Sequence, residues 1–168
     1  LHGLEFVAFR YFNAAGATEK FGEHHRIETH LIPNVLQVAL GRQPHVRIFG
    51  TDYPTPDGTC IRDYIHVVDL AKGHLCALRK LREKPGVIVH NLGTGRGHSV
   101  LEVIEAFEQA TGRPVPHRIV GRRAGDAPAV FADRAKAQRE LGWTAELDLN
   151  AMCRDAFNWQ QKNPGGYP

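Results

Sequence analysis

Apolar and polar positions along the chain follow two periods, and their succession predicts an α/β protein. The strand-like stretches, with short apolar runs or strict alternation, are residues 4–9, 46–49, 63–67 and 87–92. Helical spacing of apolar residues is found at 31–40, 70–82, 100–111, 134–141 and 149–160. The run at 4–9 is apolar almost throughout, which is typical of a parallel strand buried on both faces. Residues 114–120 add an extended segment.

Capping residues mark where these helices are expected to begin and end. The predicted starts, where a side-chain oxygen can accept from the first turn, are Thr29, Asp69, Asp133 and the capping box Ser99–Glu102. The glycines expected to end helices are Gly41, Gly112 and Gly142. The apolar face of the second helix is predicted to consist of Leu70, Ala71, Leu75, Leu78 and Leu81.

Composition narrows the class of ligand. The chain has 168 residues, 42% hydrophobic and 23% charged, and a formal net charge of +3. These values are ordinary for one globular domain. The sequence shows no dense Lys/Arg stripe of the kind that binds nucleic acid and no apolar run long enough for a membrane span, so an anionic small molecule is the expected ligand. The three cysteines are scattered, without disulfide or metal-ligand spacing, which favours a reducing compartment and predicts no metal site.

Arg62 stands between a turn-rich loop at 51–58 and the predicted strand at 63–67. Its planar, permanently charged guanidinium can donate to two phosphate oxygens at once. The alternative is a surface arginine paired with Asp57 or Asp63.

A second cationic loop, 121–126, contains Arg122, Arg123 and Asp126 between glycines. Arg123 can clamp a diphosphate while Asp126 accepts from ribose hydroxyls. The alternative is a solvated charge cluster. A glycine loop at 93–97 has the spacing Gly-x-Gly-x-Gly, which differs from the dinucleotide fingerprint G-x-G-x-x-G.

Several separated motifs, in order, resemble one family. They are Phe9–Asn13, Ile48–Gly50, Gly58–Ala71, Asn91–Gly95 and Trp159–Gln160. Together they resemble the UDP-glucose 4-epimerases, which are extended short-chain dehydrogenase/reductases. The resemblance implies that residues 1–168 form the C-terminal, nucleotide-sugar-binding portion, with the last strands of an incomplete Rossmann-type sheet and without the N-terminal NAD-binding half. No tyrosine of the chain has a lysine four residues on, so the Tyr-x-x-x-Lys pair is missing and no catalytic residue is predicted.

The resemblance also assigns site residues. It places Phe12 against the nicotinamide end of NAD. It assigns the nucleotide sugar to Asn13, His30, Leu31, Arg47, Ile48, Phe49, Arg62, Arg123 and Asp126, with the strand at 46–49 lining uracil through its backbone. Without it, Phe12 reads as a core residue, Asn13 as a turn residue, and His30 as a local hydrogen-bonding residue. Val130 stands where some members have a tyrosine.

The activity implied by the resemblance is the interconversion of UDP-glucose and UDP-galactose in galactose metabolism. NAD would take the hydride from C4 of the hexose and return it to the other face. The expected partners are the nucleotide sugars, in a cytoplasmic homodimer without nucleic acid or membrane. Two alternatives stay open: a nucleotide-sugar-binding module without chemistry, and a related nucleotide-sugar dehydratase or decarboxylase.

Overall fold

The predicted α/β class is confirmed by the computed structural model of the chain, which describes residues 5–25, 27–83 and 86–167. The strands are β1 (Phe6–Tyr11), β2 (Asn13–Ala15), β3 (Val46–Phe49), β4 (Ile61–His66), β5 (Val87–Leu92), β6 (Gly97–Ser99), β7 (His117–Val120) and β8 (Ala129–Val130). The helices are α1 (Leu31–Ala39), α2 (Val67–Glu83), α3 (Val100–Thr111), α4 (Ala135–Leu141) and α5 (Leu149–Lys162).

Strand β4 is the centre of the fold. It pairs in parallel with β2 and β8 and antiparallel with β6. Two further parallel pairs, β1 with β5 and β3 with β7, complete the sheets of the described residues. Because parallel strands end at the same edge of a sheet, β2 and β4 deliver their last residues to one place.

The core has two parts, one on each side of β4. The larger lies among α1, α3, α5 and β3, where Phe107 and Phe157 pack edge to face with centroids 5.9 Å apart. The smaller lies among β4, α2, β5 and α4 and is built on Ile65, Leu92 and Trp143. This packing holds β4 rigidly from both sides.

The first strand differs from its prediction. β1 begins at Phe6, and Leu4 lies outside the described residues. Its residues are half-buried or exposed, and among the described residues its strand partner is β5. The strand pairs in parallel, as its apolar run indicates, but it is not buried on both faces in this chain, because α2 and β5 cover only part of it.

Two predicted helix caps are wrong. Helix α1 begins at Leu31 with His30 at its N-cap, so Thr29 lies one residue outside the cap. Asp69 lies inside α2, which begins at Val67, and its buried carboxylate accepts from the N–H groups of Glu146 and Leu147. The capping box of α3 is present as predicted. Asp133 does accept from Ala135 N–H, although Arg134 occupies the N-cap of α4.

The apolar face predicted for α2 is correct at Leu70 but wrong at Ala71, Leu75 and Leu78, which are exposed. Its buried residues are Asp69, Leu70, Gly73 and Ala77, whereas Leu75 and Leu78 are both 57% exposed. Gly73 is buried because α2 lies so close to β5 that a Cβ there would stand 2.9 Å from a Leu92 methyl. In the described part of the chain, none of the helices combines the length and the apolar character needed to cross a membrane.

Candidate active site

Two adjoining cavities open beside the ends of β2 and β4. One, of about 730 Å³, is the Phe12 cavity, and the other, of about 500 Å³, is the Arg123 cavity. Both are lined by Asn13, His30, Leu31, Arg62 and Tyr64. The Phe12 cavity reaches the carboxyl ends of both strands at Ala15 and Val67, where ligands bind in open α/β sheets, whereas the Arg123 cavity lies toward the start of β4 at Cys60 and Arg62. The shared wall therefore makes the two cavities one candidate site.

Arg62 stands on β4 at this shared wall. Its Nη1 donates to the carbonyls of Ile61 and Ala127, each at 2.8 Å, and its Nη2 lies 3.4 Å from Asp126 Oδ1. The ionic partner is thus Asp126, and the pairings with Asp57 or Asp63 considered from the sequence are wrong. Backbone carbonyls hold the guanidinium in one orientation.

Arg123 reaches the same carboxylate from the loop at 121–126. Its Nε and Nη2 donate to the two oxygens of Asp126 at 3.2 and 3.0 Å. This bidentate pairing raises the pKa of the Arg123 guanidinium, so it stays charged. Arg62 and Arg123 converge on one carboxylate and both line the Arg123 cavity. Two cations share one anion, which leaves the cluster with a net positive charge.

Strand β3 forms another wall of the Arg123 cavity. Its side chains alternate as predicted, with Arg47 and Phe49 on the cavity side and Val46 and Ile48 buried. The guanidinium carbons of Arg47 and Arg123 lie 5.5 and 5.4 Å from the centre of the Phe49 ring. The Ile48 side chain is 1% exposed in the core, so the structure does not bring it to the site and leaves only its main chain available.

The Phe12 cavity collects the remaining predicted residues. Phe12 lines it, and Asn13, His30 and Leu31 line both cavities. The Nδ1 atom of His30 lies 2.8 Å from Glu23 Oε1, so the ring is engaged in a local contact. Val130 also lines this cavity, without a polar group to offer.

The residues present fit only one end of a dinucleotide. Phe12 and its apolar neighbours suit a flat aromatic ring such as nicotinamide; the neighbours in the cavity wall are Phe21, Leu31, Ile32 and Val130. The N–H groups of Thr94 and Gly95 in the glycine loop are directed elsewhere, since they donate to Asp63 at 2.9 Å each. This chain therefore offers a contact for the nicotinamide end and no cradle for the pyrophosphate from that loop.

Asp63 is a structural residue whose role the sequence analysis missed. Its carboxylate, fully buried, accepts from Thr94 N–H and hydroxyl at 2.9 and 2.6 Å and from the N–H groups of Gly95 and Ala132 at 2.9 and 3.1 Å. Gly93 is needed beside it, because a Cβ there would lie 2.6 Å from Asp63 Oδ2. A sequence signal existed: an aspartate in an apolar strand must find buried donors.

Arg122 and Tyr64 were also missed. Arg122 donates to the side chain and the carbonyl of Asp52, each at 2.6 Å, and its guanidinium lies 4.2 Å from the Tyr53 ring centre. It therefore anchors the loop at 51–58, and only Arg123 of the pair is directed to the cavity. Tyr64 is a buried wall residue, and burial raises the pKa of its phenol, which stays protonated.

Comparison with known proteins identifies the family of this chain. The model of the NAD dependent epimerase/dehydratase family matches residues 1–93. The chain is 52% identical to the UDP-glucose 4-epimerase of Homo sapiens over 164 residues, covering 96% of this chain and 47% of that protein. It is 54% identical to the UDP-glucose 4-epimerase of Cyamopsis tetragonoloba over 167 residues, covering 97% and 48%.

Solved structures of UDP-glucose 4-epimerases have the same fold as this chain. A UDP-glucose-4-epimerase from Stenotrophomonas maltophila with bound NAD and formylated UDP-arabinopyranose matches with a TM-score of 0.94 at 51% identity, over 97% of this chain and 49% of that one. The UDP-glucose 4-epimerase from Bifidobacterium longum in complex with NAD+ and UDP matches with a TM-score of 0.92 at 51% identity, over 98% and 50%.

The chain spans about half the length of the curated relatives it matches. Because the family model covers more than half of the 168 residues, the relationship does not depend on that partial coverage. The chain belongs to the NAD dependent epimerase/dehydratase family.

Proposed function

We propose that this chain supplies the UDP-sugar-binding part of a UDP-glucose 4-epimerase. The observation that carries the proposal is the convergence of Arg62 and Arg123 on Asp126 in a cavity also lined by Asn13 and Phe49. Relatives at 52% sequence identity are named as UDP-glucose 4-epimerases, and one related structure is a complex with NAD+ and UDP. A nucleotide sugar is thus the ligand that agrees both with the two arginines of the cavity and with the names of the relatives.

The diphosphate is proposed to bind at Arg62 and Arg123. A guanidinium presents parallel N–H donors that match two phosphate oxygens. Arg62 is held by two backbone carbonyls and needs little reordering, whereas Arg123, with 56% of its side chain exposed, can turn from Asp126 to the ligand. Asp126 then becomes available to accept from a ribose hydroxyl.

The nucleoside is proposed to lie along β3. Phe49 offers an aromatic face already flanked by Arg47 and Arg123. Ile48 can contribute only main-chain groups, which pair with a base edge as they would with a neighbouring strand. This arrangement places uracil at one end of the site and leaves the sugar toward Asn13 and the Phe12 cavity.

The hexose and the nicotinamide end of NAD are proposed to meet near Asn13 and Phe12. NAD, when bound, would supply hydride-transfer chemistry at C4 of the sugar. Asn13 would hold the sugar by its amide, with His30 and Leu31 at the wall. Binding energy at the distant uridine and diphosphate would hold the nucleotide while the sugar turns. The acid/base pair Tyr-x-x-x-Lys does not occur in these 168 residues, so no catalytic residue is assigned here.

We further propose that the complete enzyme acts in the cytoplasm in galactose metabolism, as a homodimer with UDP-glucose and UDP-galactose as partners and without nucleic acid or membrane. The scattered cysteines, all free in the structure, support a reducing compartment. The names of the relatives, UDP-glucose 4-epimerases, support the substrates.

The test is calorimetric titration of the purified protein with UDP. Arg62→Met and Arg123→Met each remove a charged donor while keeping the aliphatic stem. Each should weaken UDP binding roughly 10- to 100-fold, the size of charge-assisted hydrogen bonds. Arg118→Met, an exposed arginine on β7 outside both cavities, is the matched control and should bind UDP as the native protein does. Native affinity in both site variants would overturn the proposed diphosphate site.

Product analysis separates the epimerase from its alternatives. The complete enzyme given UDP-galactose should form UDP-glucose without loss of water or carbon dioxide. Loss of water would indicate a dehydratase on the same fold, and release of carbon dioxide from a UDP-hexuronate, tested separately, would indicate a decarboxylase. UDP binding without any conversion would indicate a module without chemistry.

A further inference from the structure

Four potential metal ligands converge in the loop before α1. Glu23, His25, Glu28 and His30 each offer one ligand atom, and these atoms all lie within 4.8 Å of one another. Glu23 Oε1 is 3.0 Å from His25 Nε2 and 2.8 Å from His30 Nδ1, and His30 Nδ1 is 3.1 Å from Glu28 Oε1. The cysteine spacing predicted no metal site, and this cluster consists of histidines and glutamates instead.

The spacing of these atoms matches a small coordination sphere. A tetrahedral ion with ligands at about 2.0–2.1 Å has ligand atoms roughly 3.3 Å apart. The three shortest contacts, between 2.8 and 3.1 Å, are slightly shorter than that, and all four ligand atoms lie within 4.8 Å of one another, so an ion would open the closest pairs and draw the wider ones together. The four groups therefore lie close enough together to bind one ion after their side chains adjust.

The donor set selects a class of ion. Two imidazoles with two carboxylates suit Zn²⁺, Co²⁺ or Ni²⁺, whereas Mg²⁺ and Ca²⁺ prefer oxygen ligands alone. Two carboxylates beside two neutral imidazoles carry a charge of −2, which one divalent ion neutralises. Glu23 and Glu28 are the less exposed members, with 27% and 17% of their side chains exposed, so their charges are partly withdrawn from water.

The fold holds both ends of this loop. Glu28 Oε1 accepts from the N–H groups of Thr29 and His30 at 2.8 and 2.7 Å, immediately before α1 begins. At the other end, Gly22 exchanges two hydrogen bonds of 2.9 Å with the hydroxyl of Tyr167 from the end of the chain. The ligands are therefore presented by a segment anchored on both sides, which lowers the entropy lost on binding.

We propose that Glu23, His25, Glu28 and His30 form a binding site for one divalent transition-metal ion of the Zn²⁺ class. Three of the four residues, Glu23, His25 and His30, also line the Phe12 cavity. Glu28 and His30 also line the Arg123 cavity, so the ion would stand beside both cavities. The proposal does not depend on the proposed function.

Calorimetric titration of the purified, metal-free protein with Zn²⁺ tests the proposal. One equivalent is expected to bind, and His25→Asn and Glu28→Gln should each weaken it at least about tenfold. Glu28→Gln keeps the oxygen that accepts from the backbone, so loop folding is preserved. The chain has 10 histidines, so His117→Asn, an exposed histidine on β7, is the matched control and should not change the affinity.

Titration with Co²⁺ gives a spectroscopic signal that reports the coordination of the ion and does not depend on protein folding alone. Visible absorption typical of tetrahedral Co²⁺ should appear with one equivalent in the native protein and in His117→Asn, and should be lost in His25→Asn. A tenfold excess of Mg²⁺ should leave it unchanged. The proposal is overturned if no saturable binding occurs, if His25→Asn binds like the native protein, if His117→Asn weakens binding equally, or if Mg²⁺ competes.

Discussion

Replacement of Asp63 by asparagine should destabilise the protein strongly although it changes only one atom. The carboxylate accepts four hydrogen bonds, two on each oxygen. An asparagine has a single acceptor oxygen, so its NH₂ must face one of the two donor pairs. On the Oδ2 side, the NH₂ would oppose the N–H groups of Gly95 and Ala132, and on the Oδ1 side that of Thr94.

The cost follows from these contacts. In either orientation at least one buried backbone N–H loses its acceptor, at about 1–3 kcal/mol each, and the remaining bonds lose the benefit of a charged acceptor. The sum is about 3 kcal/mol, a large part of the ~5–15 kcal/mol that stabilises an ordinary domain. Asp63 joins β4 to the glycine loop and to Ala132, so the loss should loosen the wall that carries Arg62.

Urea unfolding followed by circular dichroism measures this effect. With a slope of about 2 kcal/mol per M, the midpoint of Asp63→Asn should fall by ~1.5 M. Asp148→Asn is the control, because Asp148 makes a single capping bond to Ala151 N–H at 2.8 Å and asparagine is an equally good N-cap. A midpoint of Asp63→Asn within ~0.3 M of the native value would refute the reasoning.

Four further predictions follow from other parts of the fold. Burial lowers the pKa of His66, so below about pH 6.5 the unfolded chain binds more protons than the folded one. The free energy of unfolding should therefore fall from pH 7 to pH 5. His66→Asn should reduce this pH dependence, and an unchanged pH dependence would contradict the assignment. Gly16→Ala should cost at least about 2 kcal/mol in thermal unfolding, because φ is +81° and the new Cβ would lie 2.5 Å from His66 Nε2, whereas Gly41→Ala, with φ of +72° and open space, should cost less. The isolated chain should associate in sedimentation velocity through its exposed Phe6 and Leu78, less so as Phe6→Lys with Leu78→Glu, and a monodisperse native monomer would disprove this. The isolated chain should not convert UDP-galactose, since it lacks Tyr-x-x-x-Lys, and conversion free of host enzyme would be the contrary result.

Local chemistry accounts for the elements that were predicted correctly. The alternation at 46–49 placed Val46 and Ile48 inward, and the Ser99–Glu102 box opened α3 where expected. Gly112 and Gly142 adopt positive φ at the ends of α3 and α4. Each of these features depends on neighbours within a few residues, so the sequence contains all the information needed.

The residues assigned to the candidate site came from motif resemblance and the chemistry of side chains. The sequence could mark Arg62 and Arg123 as phosphate ligands, yet nothing in it told which carboxylate they share. Asp57 and Asp63 were nearer along the chain, and the partner is Asp126, 64 residues after Arg62. An ion pair across that separation exists only because β4 and β8 are adjacent.

The sequence by itself therefore determined the α/β class, most strands and helices, and the residue types suited to a nucleotide diphosphate. Tertiary structure alone decided that Asp63 binds the glycine loop, that Asp69 binds the segment before α5, and that Leu75 and Leu78 stay exposed. The physical reason is that periodicity reports which side chains avoid water, whereas the partner of a buried carboxylate, or the face of a helix that finds a neighbour, depends on segments brought together only by the folded chain.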